Sequence, residues 1–190
     1  MGVIYKNVNY DYCAMLIISI LIITTILRRM IKGKVNRSFL EVLVVAWLTI
    51  LFDIWAVHLD NLGVQQVFTK YVAHMGYLVL HSLEMPFYIT YLVAITDTWH
   101  LFKAKRLLVF LSLFPVLVIT GLILTSPATK WIFYINAQYE YTRGKYFTLL
   151  YVCAVIYLIY GLAYLGIHRK MFRRRYFVSL GIVFAAEIAG

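Results

Sequence analysis

The sequence predicts an all-α, polytopic transmembrane helical bundle, and three features of the chain support this prediction. Hydrophobic residues make up 63% of the 190 residues and charged residues only 14%, whereas soluble domains are nearer half apolar and a quarter charged. The apolar residues form continuous runs, which favours helices over the alternating strands of a membrane β-barrel. Basic residues cluster in every second connection between these runs, as positive-inside membrane proteins require.

Six apolar runs are predicted to be membrane spans, and together they form a single domain over residues 1–190. A bilayer core about 30 Å thick needs roughly 20 helical residues to cross it. The first five runs approach or exceed that length, whereas the sixth offers only 15 residues before position 190. We therefore expect a fragment, or an input module whose continuation completes the sixth span. The predicted spans are residues 10–27, 39–58, 71–96, 107–125, 146–167 and 176–190.

The distribution of the +10 net charge predicts the orientation of the bundle rather than a nucleic-acid interface. The connections after the first, third and fifth runs carry 13 basic residues, and the opposite side carries five. We therefore expect the N-terminus outside. The basic clusters are short and suit anionic lipid headgroups better than nucleic acid. The larger set comprises Arg28, Arg29, Lys32, Lys34, Arg37, Lys103, Lys105, Arg106, Arg169, Lys170, Arg173, Arg174 and Arg175.

Ionisable residues inside the predicted spans are the strongest functional signal, because each costs roughly 2.5–3.5 kcal/mol to insert at mid-helix. Asp53 lies in the second span, and the third span carries a polar stripe within an arc of about 100°. If these spans pack as an antiparallel hairpin, Asp53 is expected at a depth between His74 and His81, where an Asp–His contact could form. The polar stripe comprises His74, Tyr77, His81, Glu84, Tyr88 and Tyr91.

Three interpretations of the polar stripe are open at this point. Its side chains can hydrogen-bond to neighbouring helices, line a pocket that binds a small ligand or senses pH, or form a proton or ion relay. A metal site is not expected, because two histidines seven residues apart lie about 10 Å apart along one helix. No cofactor is expected either, and Cys13 and Cys153 are expected to pack as apolar side chains.

The long connection at residues 126–145 is predicted to form a short external β-hairpin. Two segments rich in aromatic and β-branched residues, 131–135 and 139–142, flank Asn136-Ala137-Gln138. An isolated hairpin is only marginally stable, so this one is expected to rest on the helices or at the interface. It can act as part of an aromatic belt at the headgroups or as a lid over a polar cavity.

This connection also resembles a segment in the membrane-embedded N-terminal regions of bacterial GGDEF-type diguanylate cyclases. The resemblance rests on Trp-Ile-Phe-Tyr-Ile at 131–135 and Tyr-Thr-Arg-Gly-Lys-Tyr-Phe at 141–147. Related multi-helix input regions precede some sensor histidine kinases. Further similarities are the Asn- and Tyr-rich start, Arg37-Ser-Phe-Leu with Asp53 further on, Pro86-Phe-Tyr, and Ser126-Pro127.

The resemblance implies a sensory input module in the bacterial cytoplasmic membrane, which relays an unknown signal to a cytoplasmic output domain outside these residues. The family's catalytic signature is absent from the chain, so these residues are not expected to be an enzyme. A homodimer is implied, and the bilayer and a small ligand are the other expected partners. Candidate ligand-binding or signal-sensing residues are Asp53, His74, Tyr77, His81, Glu84, Tyr88, Trp131, Tyr134, Tyr141 and Arg143.

The alternative function is a small membrane transporter or channel subunit that uses the polar stripe of the second and third spans as its pathway. Against it, the sequence shows no internal repeat and no pair of matching broken spans. A membrane-embedded enzyme ranks third, because the chain contains neither an HExxH nor a GxSxG motif.

Overall fold

A computed structural model describes residues 8–27, 33–63, 65–99 and 106–168, with the side chains of 106–108 and 111 left out of the description. The described chain is mostly helical, as predicted, and all five of its helices are long and apolar enough to cross a membrane. The sixth predicted span, 176–190, lies outside the described residues. The elements are α1 (Asn9–Leu27), α2 (Lys34–Asn61), α3 (Val67–Ile95), α4 (Arg106–Thr129), β1 (Phe133–Ile135), β2 (Tyr141–Arg143) and α5 (Thr148–Ile167).

Two helices extend well beyond the apolar runs that predicted them. α2 has 28 residues and α3 has 29, so each is about 42–44 Å long at 1.5 Å per residue. A bilayer core is about 30 Å thick, so the last turn of α2 and the first turn of α3 project past it. These turns carry Asp60 and Lys70, whose charges are cheaper to hold there than at mid-membrane.

α3 is the central helix of the bundle. It packs against α2, α4, α5 and β1, whereas α1 packs chiefly on α2. The core forms where apolar faces of α3, α4, α5 and β1 meet, and fully covered side chains include Leu92, Ile123 and Phe133. α1 buries none of its residues, although its Ser19 hydroxyl accepts a hydrogen bond from the Trp47 indole at 2.9 Å.

A glycine allows α2 and α3 to approach closely. A Cβ placed on Gly76 would lie 2.2 Å from two ring carbons of Phe52, far inside van der Waals contact. The absent side chain therefore leaves room for the Phe52 ring against the α3 backbone. Small residues have this role at many membrane helix interfaces, where packing rather than the hydrophobic effect drives association.

Successive helices run in opposite directions, so the connections between them lie alternately at the two ends of the bundle. The start of α1 meets the end of α2, where the Tyr12 hydroxyl and His58 Nε2 are 2.6 Å apart. The hairpin packs on the same end of the bundle, which we call the hairpin end. Gly33, Thr98 and His168 lie at the opposite end, together with the described members of the larger basic set.

Candidate functional site

The predicted hairpin is present between α4 and α5, with shorter strands than the sequence indicated. β1 and β2 pair antiparallel, and Tyr134 lies opposite Thr142 at the centre of the register. The predicted segment 131–135 therefore contributes three paired residues and the segment 139–142 only two, because the third residue of β2 is Arg143. The remaining residues of the second segment belong to the turn.

The turn of the hairpin forms without glycine. The side-chain oxygen of Asn136 accepts hydrogen bonds from the backbone N–H groups of Gln138 and Glu140, both at 2.9 Å. Tyr139 adopts a left-handed backbone conformation with φ of 61°, which is costly for an aromatic residue. The surrounding contacts must therefore hold this residue in place.

The hairpin is docked on the helices by hydrogen bonds to two helical hydroxyls. The Ser126 hydroxyl, at the end of α4, accepts from the N–H groups of Ile132 and Phe133 at 2.9 and 3.1 Å. The Tyr71 hydroxyl, in the first turns of α3, accepts from Ile135 N–H at 3.2 Å. These contacts satisfy backbone groups that would otherwise be buried without partners. The hairpin therefore rests on the bundle, one of the two placements expected from its sequence.

A buried charged cluster lies beneath the hairpin turn. The Lys70 side chain is 2% exposed, and its Nζ donates to the Tyr139 carbonyl oxygen at 2.6 Å. The Lys70 Nζ and the His74 Nε2 each lie 3.4 Å from the same oxygen, Asp60 Oδ1. We call these three side chains, with the Tyr139 carbonyl, the Lys70 cluster. It joins the end of α2, the start of α3 and the hairpin in one contact set.

The sequence indicated His74 as a candidate, but it did not indicate Asp60 and Lys70, the other two side chains of the cluster. The apolar runs end at residue 58 and resume at 71, so Asp60 and Lys70 fell between the predicted spans. A detectable signal was the spacing of Lys70 and His74, which are four residues apart and share one face of α3. Recognising it required extending the helix across a lysine, which a hydropathy criterion rejects.

Aromatic rings pack around the Lys70 cluster. The His74 and Tyr141 rings are stacked, with centroids 4.5 Å apart. Phe133 lies against both tyrosines of the site, with its ring centroid 5.6 Å from that of Tyr71 and 5.5 Å from that of Tyr141. These rings shield the charged groups from water, which strengthens the attraction between them.

Burial raises the pKa of Tyr141, the hairpin tyrosine whose ring stacks on His74. Removal from water raises the pKa of Tyr141 from 10.0 to about 12, although the nearby Arg143 cation opposes the rise. The negative charge of Asp60 acts in the same direction as burial. Tyr141 is therefore a neutral hydrogen-bonding group at ordinary pH.

Below this cluster the polar stripe continues along α3, and several of its members meet. The His81 and Tyr77 rings stack with centroids 5.8 Å apart, and His81 Nδ1 lies 3.7 Å from Glu84 Oε2. Further along, the Tyr88 and Tyr91 rings pack edge-on at 6.2 Å. His81 and Glu84, which are three residues apart, therefore meet on one face of α3.

Asp53 lies on α2 at the depth of this stripe. It follows Phe52, and the approach of the Phe52 ring to Gly76 sets the relative depth of the two helices. His74, one of the two histidines considered as its partner, pairs with Asp60 instead. Asp60 lies seven residues, or about two helical turns, nearer the hairpin end than Asp53.

Three of the candidate residues lie on the rim of the hairpin, away from the Lys70 cluster. Trp131 is exposed and meets the Tyr146 ring edge-on, with centroids 5.9 Å apart. The Lys130 ammonium lies 5.7 Å from the centre of the Tyr134 ring. Arg143 is also exposed. The sequence alone did not separate this rim from the buried part of the site.

A second polar contact set, unpredicted by the sequence, lies at the opposite end of the bundle. The Thr96 hydroxyl is 2.7 Å from that of Thr98 and 3.3 Å from that of Tyr164, and Thr98 also bonds to Tyr164. All three residues are buried. We call them the Thr98 cluster; it joins the end of α3 to the last turns of α5.

A third contact joins the Tyr157 hydroxyl of α5 to the backbone of α4. The hydroxyl donates to the Ser112 carbonyl oxygen at 2.7 Å and accepts from Val116 N–H at 3.3 Å. Ser112 and Val116 are four residues apart, which is the spacing of an α-helical backbone bond. Pro115 lies within the same turn and has no N–H group to donate.

Within the described ranges, no group of three or more His, Cys, Asp or Glu side chains is arranged to hold a metal ion. Comparisons of the chain with protein-family models, curated proteins and solved structures find no match.

Proposed function

We propose that the chain is the transmembrane sensory input module of a bacterial signalling protein. It relays a signal to a cytoplasmic output domain, a diguanylate cyclase or a histidine kinase, which lies outside these residues. The observation that carries the proposal is the Lys70 cluster. It places buried charges at one membrane boundary, under a hairpin that is itself hydrogen-bonded to the lysine.

The Lys70 cluster has the properties of a switch. Buried charges are costly unless paired, so the cluster favours one arrangement in which Lys70, Asp60 and the hairpin turn fit together. The left-handed Tyr139 adds strain that is released when the turn leaves its docked position. A ligand, lipid or proton that changes this pairing shifts the balance between docked and undocked hairpin, provided that it binds the two forms differently.

α3 provides a mechanical connection between the two ends. It carries Lys70 in its first turn, packs against α4 and α5 along its length, and ends beside the Thr98 cluster. A shift of α3 at the hairpin end therefore acts on the last turns of α5. The resemblance to input regions of diguanylate cyclases supports the same direction of signalling, as does the basic composition of residues 169–175.

The remaining parts of the proposal concern placement and assembly. We place the module in the cytoplasmic membrane with its N-terminus and hairpin outside, because 13 basic residues favour the opposite side. We also propose that it functions as a homodimer, as the resemblance implies. The candidate stimulus is a small ligand at the hairpin end, contacted by the Lys70 cluster and Tyr141.

The test uses the full-length protein in its bacterial host. Lys70→Met is expected to change the output, measured as cyclic diguanylate level or as kinase autophosphorylation, at an unchanged amount of protein in the membrane. Arg37→Met is the matched control, because that arginine is exposed and its one ion pair among the described residues is with Glu41 of its own helix. Equal output from both variants and the wild type, or a natural stop codon directly after residue 190, would contradict the proposal.

A transporter or channel subunit is the second candidate, and one observation favours it. His81 Nδ1 lies 3.7 Å from Glu84 Oε2 on α3, and Asp53 follows the α2 residue Phe52, whose ring lies against Gly76 of α3. Ionisable groups of both helices are thus present along one stretch of the bundle. Purified protein in proteoliposomes distinguishes the two functions. A proton or ion flux that Asp53→Asn abolishes supports transport, and a flux equal to that of empty vesicles rejects it.

A further inference from the structure

Three cations gather at the base of the hairpin, where the chain leaves α4 and enters α5. Lys130 follows the last residue of α4 directly, and Arg143 and Lys145 lie three to five residues before α5 begins. All three are exposed, and none forms an ion pair with any described residue. We call them the cationic rim.

The backbone holds the cationic rim together. Gly144 N–H donates to the Ile132 carbonyl oxygen at 2.7 Å, and Tyr146 N–H donates to the Trp131 carbonyl oxygen at 2.8 Å. A Cβ on Gly144 would lie 2.4 Å from the carbonyl oxygens of residues 130 and 131. This close approach brings Lys130 beside Lys145, although 15 positions separate them in the sequence.

Aromatic rings hold each cation at this boundary. The Lys130 ammonium lies 5.7 Å from the Tyr134 ring centre, the Arg143 guanidinium 4.7 Å from that of Phe147, and the Lys145 ammonium 5.4 Å from that of Tyr146. Cation–π contacts restrict the cations without neutralising them. Exposed Trp131 and Tyr146 rings lie between them, and such rings prefer the headgroup level of a bilayer.

The one carboxylate in this part of the chain is held away from the cations. Glu140 is the sole acidic residue between positions 126 and 147, and it lies in the hairpin turn. There its Oε2 accepts a hydrogen bond from the Asn136 amide at 3.3 Å. The rim thus carries three positive charges without a counter-charge among the described residues, within a few residues of two helix ends.

We propose that the cationic rim, with the Trp131 and Tyr146 rings, binds the headgroup of an anionic phospholipid in the leaflet at the hairpin end. Phosphate groups lie at the depth where α4 ends and α5 begins, and each basic residue near such a surface strengthens binding about fivefold. The aromatic rings pack against the upper part of the acyl chains. The proposal is independent of the sensory role, because it concerns the outer rim and not the Lys70 cluster.

Native mass spectrometry of the purified protein, in detergent with equal amounts of phosphatidylglycerol and phosphatidylcholine, tests the proposal. The wild type is expected to retain phosphatidylglycerol preferentially. Lys130→Gln with Lys145→Gln is expected to reduce that preference by roughly 25-fold, from two cations at about fivefold each. The matched control is Lys34→Gln with Arg37→Gln, which removes the same charge at the opposite end. The basic connections there also suit anionic headgroups, so this variant is expected to lose some of the preference but clearly less than the hairpin variant.

Three outcomes would overturn the proposal. They are equal retention of the two lipids by the wild type, equal losses in the two double variants, and displacement of phosphatidylglycerol by equimolar inorganic phosphate. A variant with Lys130→Arg and Lys145→Arg keeps the charge and is expected to keep the preference. If the glutamine variant does not fold, the wild type alone is measured at increasing salt concentration. Its preference for phosphatidylglycerol is expected to fall steeply, because salt screens exposed charges. A preference that does not change with salt would contradict lipid binding by the cationic rim.

Discussion

At the residue scale, the main determinant of the site is a lysine buried at the membrane boundary. Lys70 is almost fully covered, and its ammonium lies between a carboxylate of α2 and a carbonyl of the hairpin turn. A buried pair need not stabilise a protein relative to apolar residues of similar size, but removing one partner leaves an uncompensated charge. Single and double substitutions of the pair should therefore have very different effects.

We predict that Lys70→Met lowers the free energy of unfolding by about 3 kcal/mol, because it leaves the Asp60 carboxylate buried without the ammonium. Adding Asp60→Asn should restore most of that loss. Arg37→Met, which breaks an exposed pair with Glu41, should change stability by less than about 1 kcal/mol. Unfolding in mixed micelles measures all three, and equal losses from Lys70→Met and Arg37→Met would refute the buried-pair explanation.

Tyr141, which stacks on His74 of the Lys70 cluster, predicts that the stability of the protein depends on alkaline pH. Burial raises the pKa of Tyr141 from 10.0 to about 12, so the folded state favours the neutral phenol. Its stabilising contribution is complete below pH 10.0 and is lost as the pH rises through about 12. A phenolate absorbance titration should lose a late-titrating component in Tyr141→Phe. An unchanged late component in that variant would contradict the assignment.

A second tyrosine, Tyr157, tests the contact between α5 and the backbone of α4. We predict that Tyr157→Phe destabilises the protein by about 1–3 kcal/mol, because the Ser112 carbonyl and Val116 N–H lose a buried partner. Tyr151→Phe is the control, since that side chain is exposed and its edge contact with Phe147 needs only the ring. Thermal unfolding that is the same in both variants would show that the hydroxyl of Tyr157 does not support the turn.

At the element scale, the hairpin shows how far local sequence determines local structure. Its aromatic and β-branched residues predicted two strands, and the structure contains them. The turn was not predictable in the same way, because a left-handed residue favours glycine or asparagine and here it is Tyr139. Contacts from outside the hairpin hold it in place: Lys70, 69 residues away in the sequence, bonds to the turn, and Ser126 at the end of α4 bonds to Phe133 of β1.

The base of the hairpin gives a prediction about glycine. Gly144→Ala would place a Cβ 2.4 Å from two backbone oxygens, so the hairpin must shift from its docked position. Hydrogen exchange of the amides in β1 and β2 should therefore accelerate. Gly121→Ala in α4 has open space around the new methyl group and should leave exchange in the hairpin unchanged. Protection in Gly144→Ala equal to that of the wild type would be incompatible with this packing.

The helices were predictable from the sequence, but their ends were not. Continuous apolar runs located the five described helices, because lipid permits few polar residues in a span. The same criterion ended the second predicted span at residue 58 and began the third at residue 71. In the structure α2 continues to Asn61 and α3 begins at Val67. Asp60 and Lys70 lie in those extra turns. Hydropathy thus assigned the charged pair of the Lys70 cluster to a loop, whereas His74 fell inside a predicted span.

At the scale of the whole molecule, five antiparallel spans fix the sides on which the connections lie. α1 begins at the hairpin end and α5 finishes at the opposite end, so the hairpin and the connection between α1 and α2 lie at opposite ends of the bundle. Counting basic residues predicts which side is which. The packing around α3 depends on contacts such as Phe52 with Gly76, and composition alone does not indicate them.

Cysteine accessibility in intact cells tests this arrangement most directly. In a background with Cys13→Ser and Cys153→Ser, single cysteines are introduced by Ala137→Cys in the hairpin turn and Gly33→Cys before α2. We predict that a membrane-impermeant maleimide labels the hairpin cysteine from outside, and labels the other only after the cells are opened. Labelling of both from the same side would contradict the five-span arrangement, and with it the placement of the Lys70 cluster at the outer boundary.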